Sequence, residues 1–304
     1  MAELREIASG LEFPEGPIAL PDGSLLVVEI KRGTLTRVTP DGKLRVVAET
    51  GGGPNGAAIG PDGKVYVCNN GGFEWHQHAG LTFPGNQPAS YIGGRIQRVD
   101  LTNGKVEDLY TECDGRPLRG PNDIVFDSTG GFWFTDFGKT RERDRDRTGV
   151  FYARPDGSMI REEIFPLDGP NGVGLSPDEK RLYVAESFTG RLWAWDLLEP
   201  GRVKPSPTGF GNGGTLVVGL PGMQLFDSLA VDSAGNVCVG TLVNGGISVI
   251  SPDGRSVEHL AMPDTLTTNI CFGGRDLTTA YVTLSTTGRL VATEWPRPGL
   301  KLAF

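Results

Sequence analysis

The sequence contains no long hydrophobic run and only three histidines and four cysteines among its 304 residues. No apolar stretch reaches the roughly 18 residues that a membrane-spanning helix requires. The N-terminal segment also lacks the apolar core of a signal peptide, so we expect a cytoplasmic location without membrane contact. The cysteines lack the spacing of a metal site and are expected to be reduced thiols, with Cys68 and Cys238 inside buried strands.

The chain also has fewer basic than acidic residues: 29 Lys and Arg against 37 Asp and Glu, for a net charge of −8. An acidic surface disfavours binding to nucleic acid and to anionic membranes. The sequence has no phosphate-binding loop and no serine-centred nucleophile motif, and the glycine-rich residues 211–214 are not followed by a helical pattern. No segment has a sustained helical period, so the expected fold is all-β.

Glycine and proline are abundant instead, with 45 and 22 residues, in a chain that is 38% hydrophobic. This composition indicates many turns around a large apolar core rather than disorder. Six short runs rich in β-branched and aromatic residues follow turn sequences and read as strands buried on both faces. These runs are residues 25–28, 65–68, 132–135, 182–185, 237–240 and 280–283.

A polar residue precedes each of the six turns, always seven positions before the same place in the turn. Such a fixed spacing, repeated six times, indicates a repeat architecture. The six residues are Glu15, Asn55, Asn122, Asn171, Asp227 and Asn269. Their spacings range from 40 to 67 residues, and a four-stranded propeller blade takes roughly 40–50. The sequence therefore predicts a single domain over residues 1–304, a six-bladed β-propeller with four strands per blade. Residues 4–7 and 289–293 are expected to pair in the last blade and close the ring.

The longest spacing contains an insertion at residues 71–93. This segment carries Phe73, Trp75 and Phe83 and leaves a strand that ends close to the predicted axis. We expect it to form a lid or a wall of a pocket, with Trp75 and His76 as contacts to a substrate. The alternative for the His76 and His78 pair is a mobile surface segment.

In a closed ring the six polar residues would meet on the axis. Glu15 and Asp227 would repel each other there unless they were protonated or neutralised by a cation. A divalent ion would balance the two carboxylates, and Asn122 and Asn171 would add neutral oxygen ligands. Oxygen ligands favour Ca²⁺, with Mg²⁺, Mn²⁺ and Zn²⁺ as alternatives. The competing interpretation is that these side chains only shape turns through local hydrogen bonds.

Four of these local contexts, taken in order, carry a resemblance to a known family. They are Pro14-Glu15-Gly16-Pro17, Pro121-Asn122-Asp123, Pro170-Asn171-Gly172 and Asp227-Ser228-Leu229-Ala230-Val231-Asp232. Over essentially its whole length the chain resembles the senescence marker protein, regucalcin and gluconolactonase family of six-bladed propellers. The resemblance implies a divalent ion bound by Glu15, Asn122, Asn171 and Asp227. It also implies hydrolysis of a small lactone, because most members act on sugar lactones.

The expected reaction is attack of water on a lactone carbonyl that the ion polarises. The resemblance implies that Asp227 is the general base, and a water activated by the ion itself is the alternative. It also implies that Arg119 binds the substrate, although the Arg-Gly-Pro-Asn spacing here is one residue longer than in mammalian members. Asn55 and Asn269 are candidate pocket residues because of their axial positions. Asp123 is expected just behind the ion and is a further candidate for substrate binding.

Two other functions remain open at this point. The same ion could serve a phosphotriesterase or another ester hydrolase. Alternatively, a non-enzymatic propeller could bind a ligand or protein around a structural ion, since the fold alone does not decide function. Asp136 and Glu186 follow buried runs and are expected to be surface charges or to face the mouth of the ring.

Overall fold

The computed structural model describes residues 3–205 and 211–304, and Met1 and Ala2 of the N-terminal segment lie outside it. The described residues form 29 β-strands and no α-helix. Accordingly, none of them belongs to a helix that is long and apolar enough to span a membrane. The expectation of an all-β chain is confirmed.

Each of the six blades is an antiparallel sheet of four principal strands. The first three blades are β2 (Pro14–Ala19), β3 (Leu25–Glu29), β4 (Thr34–Val38) and β5 (Leu44–Glu49); β6 (Pro54–Ile59), β7 (Val65–Asn69), β10 (Arg95–Val99) and β11 (Val106–Tyr110); and β14 (Pro121–Phe126), β15 (Phe132–Asp136), β16 (Thr148–Ala153) and β17 (Ile160–Leu167). The last three are β18 (Pro170–Leu175), β19 (Arg181–Glu186), β20 (Arg191–Glu199) and β22 (Thr215–Gly219); β23 (Leu225–Val231), β24 (Val237–Leu242), β25 (Gly246–Ile250) and β26 (Val257–Ala261); and β27 (Thr267–Gly273), β28 (Thr279–Leu284), β29 (Arg289–Glu294) and β1 (Arg5–Ala8).

The N-terminal strand closes the ring, as predicted. β1 pairs antiparallel with β29, so that Arg5 lies opposite Ala292 and Glu6 opposite Val291. The sixth blade therefore combines both ends of the chain. This arrangement pairs the outer edge of β29, which would otherwise be left free.

The first strands of the blades contact one another in a closed ring around the axis, in the order β2, β6, β14, β18, β23 and β27. The six apolar runs of the sequence form the second strands, which lie one position further out. The strands that end near Asn70, Asp136 and Glu186 are thus inner strands of their blades, next to the first strands that line the axis. These second strands are covered on both sides by neighbouring blades, and every residue of β3, β7 and β15 is buried.

Six apolar clusters of described residues form the core, one between each pair of neighbouring blades. Between the second and third blades the cluster is aromatic. Tyr66 and Phe126 have ring centroids 5.1 Å apart, and Phe134 and Phe151 also lie 5.1 Å apart. Because each blade presents two apolar faces, the ring stabilises every blade from both sides. Cys68 and Cys238 are buried free thiols in this core, as predicted.

Five further strands lie outside this pattern. The insertion forms a hairpin of β8 (Trp75–His78) and β9 (Leu81–Pro84). A second small hairpin, β12 (Glu112–Cys113) and β13 (Arg116–Pro117), precedes the third blade. β21 (Arg202–Val203) adds a short pairing to the end of β20.

Candidate active site

The six repeated polar residues lie near the start of the six first strands, at the same end of the ring. In all six first strands the pairing with the second strand is irregular at or next to this residue. In β2, for example, Glu15 pairs with Val28, and the next regular pair is Ile18 with Leu26. An irregularity of this kind bends a strand and redirects a side chain. It explains how a polar residue can point to the axis from the start of an otherwise apolar sheet.

Glycine after the axial residue allows neighbouring first strands to approach closely. A Cβ atom on Gly16 would lie 2.6 Å from the carbonyl oxygen of Asn55, and one on Gly172 would lie 2.7 Å from the carbonyl oxygen of Asp227. Any side chain at these positions would push the strands apart. The glycines of the repeated Pro-Glu-Gly and Pro-Asn-Gly sequences therefore permit the close approach of neighbouring first strands.

Glu15 is buried at the axis with one carboxylate oxygen in use. Its Oε2 accepts hydrogen bonds of 2.6 Å from the Gly16 amide and from Nδ2 of Asn269. Burial raises the pKa of Glu15 well above its usual value, and the charge of Asp227 raises the pKa further. The negative charge of Glu15 is thus poorly compensated by the protein alone.

Asp227 is the second carboxyl group at the axis and is 8% exposed. Burial raises the pKa of Asp227 to about 7, a hydrogen bond with Asn171 opposes this rise, and the charge of Asp123 adds to it. The Asn171 side chain is itself held by Ser187 and Ser228. Two buried acids therefore influence each other across the ring, as the sequence predicted.

Asn55 and Asn122 lie between Glu15 and Asp227 in the sequence, and both are buried. Three buried side-chain oxygens have no hydrogen-bond partner among the described residues: Glu15 Oε1, Asn55 Oδ1 and Asn122 Oδ1. All three are acceptors, and two of them belong to predicted ligands. A hard cation is the species that such unsatisfied oxygens would fit.

Residues 3–205 and 211–304 contain no group of three or more His, Cys, Asp and Glu side chains that could hold a metal ion. An ion on this axis would instead combine two carboxylates with amide oxygens. Ca²⁺ accepts this mixture, whereas zinc sites usually have sulfur or imidazole ligands. The role of Glu15, Asn122, Asn171 and Asp227 as ligands stays a prediction.

Asp123 lies next to the axis and bridges two blades. Its Oδ1 accepts a hydrogen bond of 3.0 Å from the Ile124 amide, and its Oδ2 accepts one of 3.1 Å from the Val173 amide of the fourth blade. Burial raises the pKa of Asp123 to about 7, against these backbone hydrogen bonds. These contacts join the third and fourth blades, and a place for Asp123 behind the ion stays a prediction.

Both ends of the Asn269 amide are bonded within the protein, and its place in the pocket stays a prediction. Nδ2 donates to Glu15, and Oδ1 accepts a hydrogen bond of 2.7 Å from the Ile270 amide. Asn269 therefore orients the Glu15 carboxylate. No local sequence pattern indicates this hydrogen bond, since the two residues belong to opposite ends of the chain.

Arg119 has an exposed side chain and lines a cavity of about 310 Å³ on the third blade. This cavity is lined by residues of β13, β16 and β17 and by none of the six repeated polar residues. Main-chain atoms fix Arg119, since its amide donates to Asp136 and its carbonyl accepts from the Tyr91 hydroxyl. A contact between Arg119 and a substrate stays a prediction.

Trp75 and His76 lie on the β8–β9 hairpin of the insertion. Trp75 is half-buried, and its ring lies 5.1 Å from that of Phe13 and 6.1 Å from that of Phe73. His76 is exposed and packs over Gly85. Trp75 is thus close in space to the segment that carries Glu15, whereas His76 points away from the core.

Asp136 and Glu186 are buried, so the expectation that they are surface charges is wrong. Asp136 accepts hydrogen bonds from the amides of Arg119, Gly120 and Gly138. Glu186 accepts from the Asp168 amide and from Nε1 of Trp193. Both carboxylates fix the loop that leads into the first strand of their own blade. Such donors come from distant turns and leave no local sequence pattern.

Lys139 is a buried residue of this end of the ring that sequence reasoning missed. It is 1% exposed, and its ammonium group lies among atoms of the insertion. Burial lowers the pKa of Lys139 to about 7, while the charges of Asp136 and Asp146 oppose this change. A lysine between Gly138 and Thr140 carries no signal of burial in the sequence, because lysine is seldom buried.

Comparison with known proteins now identifies the family. Residues 13–286 match the family described as SMP-30/Gluconolactonase/LRE-like region. The chain belongs to this family. Among its relatives is a gluconolactonase of Zymomonas mobilis, 28% identical, with 90% of this chain and 76% of that protein aligned. Lactonase drp35 of Staphylococcus saprophyticus is 32% identical, with 79% of this chain and 67% of that protein aligned.

Solved structures of the family share the fold. A gluconolactonase of Xanthomonas campestris superposes with a TM-score of 0.75 at 21% identity, covering 97% of this chain and 90% of that one. Regucalcin of Agrobacterium tumefaciens, described as a calcium-binding protein, superposes with a TM-score of 0.72 at 17% identity over 96% and 95% of the two chains. The resemblance inferred from four motifs and the six-bladed propeller are both confirmed.

Proposed function

We propose that this protein is a hydrolase that opens a small lactone to the corresponding hydroxy acid, with a divalent cation, preferably Ca²⁺, on the axis of the propeller. Family membership supports the reaction, since relatives over most of the chain are named gluconolactonase and lactonase. The proposal of a cation rests on one observation: among the described residues, three buried axial oxygens have no hydrogen-bond donor, and they lie near two acids that repel each other.

Glu15, Asn122, Asn171 and Asp227 would hold the ion. When bound, a divalent cation polarises the ester carbonyl and neutralises the two carboxylates. The protein contributes preorganisation: Asn269 and the Gly16 amide fix the Glu15 carboxylate, and Ser187 and Ser228 fix the Asn171 amide. These side chains need little rearrangement to bind, which favours catalysis at a buried site.

Asp227 is the proposed general base. Its carboxylate accepts a proton as the water oxygen forms a bond to the lactone carbonyl carbon. The ring C–O bond then breaks, and the departing alkoxide oxygen takes up the proton to give the hydroxy acid.

The deciding experiment is metal removal followed by a substrate panel. Protein treated with EDTA and then dialysed would be assayed for acid release from lactones, simple esters and a phosphotriester, before and after Ca²⁺ is restored. We expect lactone opening that is lost with the metal and recovered with Ca²⁺. Preferential cleavage of the phosphotriester would support the phosphotriesterase alternative. Absence of any hydrolysis with saturating Ca²⁺ would support a binding propeller.

A further inference from the structure

The Lys139 ammonium group is enclosed by the insertion, although Lys139 itself belongs to the third blade. Its Nζ donates a hydrogen bond of 2.5 Å to the carbonyl of Gly72 and lies 3.5 Å from Oδ1 of Asn70. It also lies 4.1 Å from the centre of the Phe73 ring and 5.6 Å from that of Tyr91. A buried ammonium group that faces a carbonyl and two aromatic rings is stabilised by cation–π attraction.

No carboxylate of the described residues lies within ion-pair distance of Lys139. Asp136 and Asp146 act on the ammonium group through space, and Asp146 also accepts a hydrogen bond of 3.0 Å from the Lys139 main-chain amide. Burying a charge without a direct counter-ion is unfavourable for folding. Among the described residues, the direct contacts of the ammonium group all come from residues 70–91, so the lysine ties the insertion to the third blade.

The insertion also contacts blades other than its own at the end of the ring that carries the axial residues. The Thr82 amide donates to the Thr286 carbonyl in the sixth blade at 3.1 Å, and the Gln87 amide donates to the Thr140 carbonyl in the third blade at 2.9 Å. Its first residues pack on the loop before Asn55, since a Cβ on Gly53 would lie 2.6 Å from the Gly72 amide. The insertion therefore spans the rim of the mouth from the second blade in both directions.

Three aromatic rings of this region form what we call the aromatic wall: Phe13, Phe73 and Trp75. Phe13 is two residues before Glu15 and is held at a φ of 59°, an unfavourable value for a residue with a side chain. Phe73 and Trp75 are half-buried. The wall thus brings apolar surface next to the strand that carries a proposed metal ligand.

We propose that Lys139 is a positioning residue that holds the aromatic wall at the mouth, and that this wall makes the site select lactones with an apolar ring substituent over polyhydroxylated ones. The proposal rests on the lactonase function proposed above. Aromatic rings offer apolar contact to an alkyl or aryl group but no partners for several hydroxyl groups. Removing the ammonium group removes its contacts with the Gly72 carbonyl and the Phe73 ring, so we expect the wall to lose part of its support.

The first test compares the wild type with Lys139→Met, which keeps the length of the side chain and removes its charge. The substrates are δ-octalactone and glucono-δ-lactone, measured with saturating Ca²⁺. We expect KM for δ-octalactone to rise about ten-fold, with kcat and the KM for glucono-δ-lactone little changed. The matched control is Lys43→Met, an exposed lysine that pairs only with Asp41, and it should leave both substrates unaffected.

Two further variants act on the wall itself and keep the proposal testable if Lys139→Met does not fold. Trp75→Ala and Phe73→Leu should produce the same change in substrate preference. Combining Phe73→Leu with Lys139→Met should add little to either single change, because both remove one interaction. Equal effects on the two lactones, or a preference that does not change in any of these variants, would overturn the selectivity.

Amide hydrogen exchange followed by mass spectrometry tests the anchor without substrate. Lys139→Met should speed exchange in residues 71–93 and leave the fifth blade as in the wild type. Unchanged exchange in the insertion would overturn the role of Lys139, whatever the kinetics. A wild type that opens neither lactone while this exchange effect is present would refute the proposed function and with it the selectivity, and would leave the anchor established.

Discussion

Asp227 and Glu15 are carboxyl groups in positions that only a counter-charge makes favourable. Each is buried, each has its pKa raised by that burial, and the charge of Asp227 acts on Glu15. At the residue scale the site is therefore defined by an electrostatic conflict rather than by a reactive side chain. The proposed divalent cation would resolve this conflict, with Asp227 as the proposed proton acceptor.

Replacing Asp227 by Asn keeps the shape of the side chain and removes its negative charge and its basicity. We expect kcat for lactone opening to fall by about 100- to 10,000-fold, the usual contribution of a positioned base. Initial rates at pH 7 with saturating Ca²⁺ would measure this. Asp253→Asn, in an exposed turn, is the control and should retain the wild-type rate. Full activity in the Asp227 variant would exclude it as the base.

Replacing Asn269 by Leu removes one of the two hydrogen bonds to Oε2 of Glu15. Since partners of metal ligands typically change affinity by 10- to 100-fold, we expect Ca²⁺ binding to weaken by roughly 10-fold. Isothermal titration of the metal-free protein would measure the dissociation constant. An affinity equal to that of the wild type would show that the Gly16 amide alone orients the carboxylate.

At the scale of single elements, the first strand of each blade shapes the site. An irregular pairing accompanies every axial residue, and glycine follows three of them, at Gly16, Gly56 and Gly172. Hydroxyl groups on the second strand or just after it also link neighbouring blades, as when Ser285 donates to the Pro14 carbonyl at 2.6 Å. The axial side chains are held by rigid backbone and not by mobile loops.

Gly172→Ala tests this packing directly. A Cβ atom there would lie 2.7 Å from both the Asp227 carbonyl oxygen and the Leu229 amide nitrogen, so the fourth and fifth blades must separate. We expect a loss of about 1–3 kcal/mol in the free energy of unfolding, as for other overpacked positions. Chemical denaturation would measure it. The control is Gly219→Ala on the outer strand β22, whose Cβ would meet only an arginine side chain at 3.5 Å.

At the scale of the whole molecule, the ring concentrates acids at one end of its axis. The folded metal-free protein holds protons on Asp227 and Glu15 more tightly than the unfolded chain does. Between the ordinary aspartate pKa of 3.8 and about 7, a rise in pH therefore favours unfolding at these sites. The difference in stability between the wild type and Asp227→Asn isolates this contribution from other titrating groups.

We expect the free energy of unfolding of the metal-free wild type to fall relative to that of Asp227→Asn as the pH rises from about 4 to about 7. Saturating divalent cation at pH 7 should reverse the trend and raise the melting temperature by roughly 5 °C, the effect of a ligand at about 100 times its dissociation constant. Thermal unfolding followed by circular dichroism, with EDTA or Ca²⁺, would measure both effects. A melting temperature that does not respond to any divalent cation would contradict an axial metal site.

The amino-acid sequence by itself determined the architecture and the axial residues. A fixed offset between a polar residue and a turn, repeated six times, is a local pattern. Such a pattern can be recognised in the sequence without knowledge of tertiary contacts. The pairing of both chain ends and the convergence of Glu15 and Asp227 followed from closing that repeat into a ring. The charge of these two residues was enough to indicate a cation.

Only the tertiary structure decided which side chains support the axis. Asn269 donates a hydrogen bond to Glu15 from the other end of the chain. Asp136 and Glu186 accept hydrogen bonds from main-chain amides of other turns. Lys139 is enclosed by an insertion from another blade. Each of these contacts joins segments that are far apart in sequence. A polar residue looks the same in a sequence whether water or a buried partner surrounds it, and only the packed ring determines which of the two it meets.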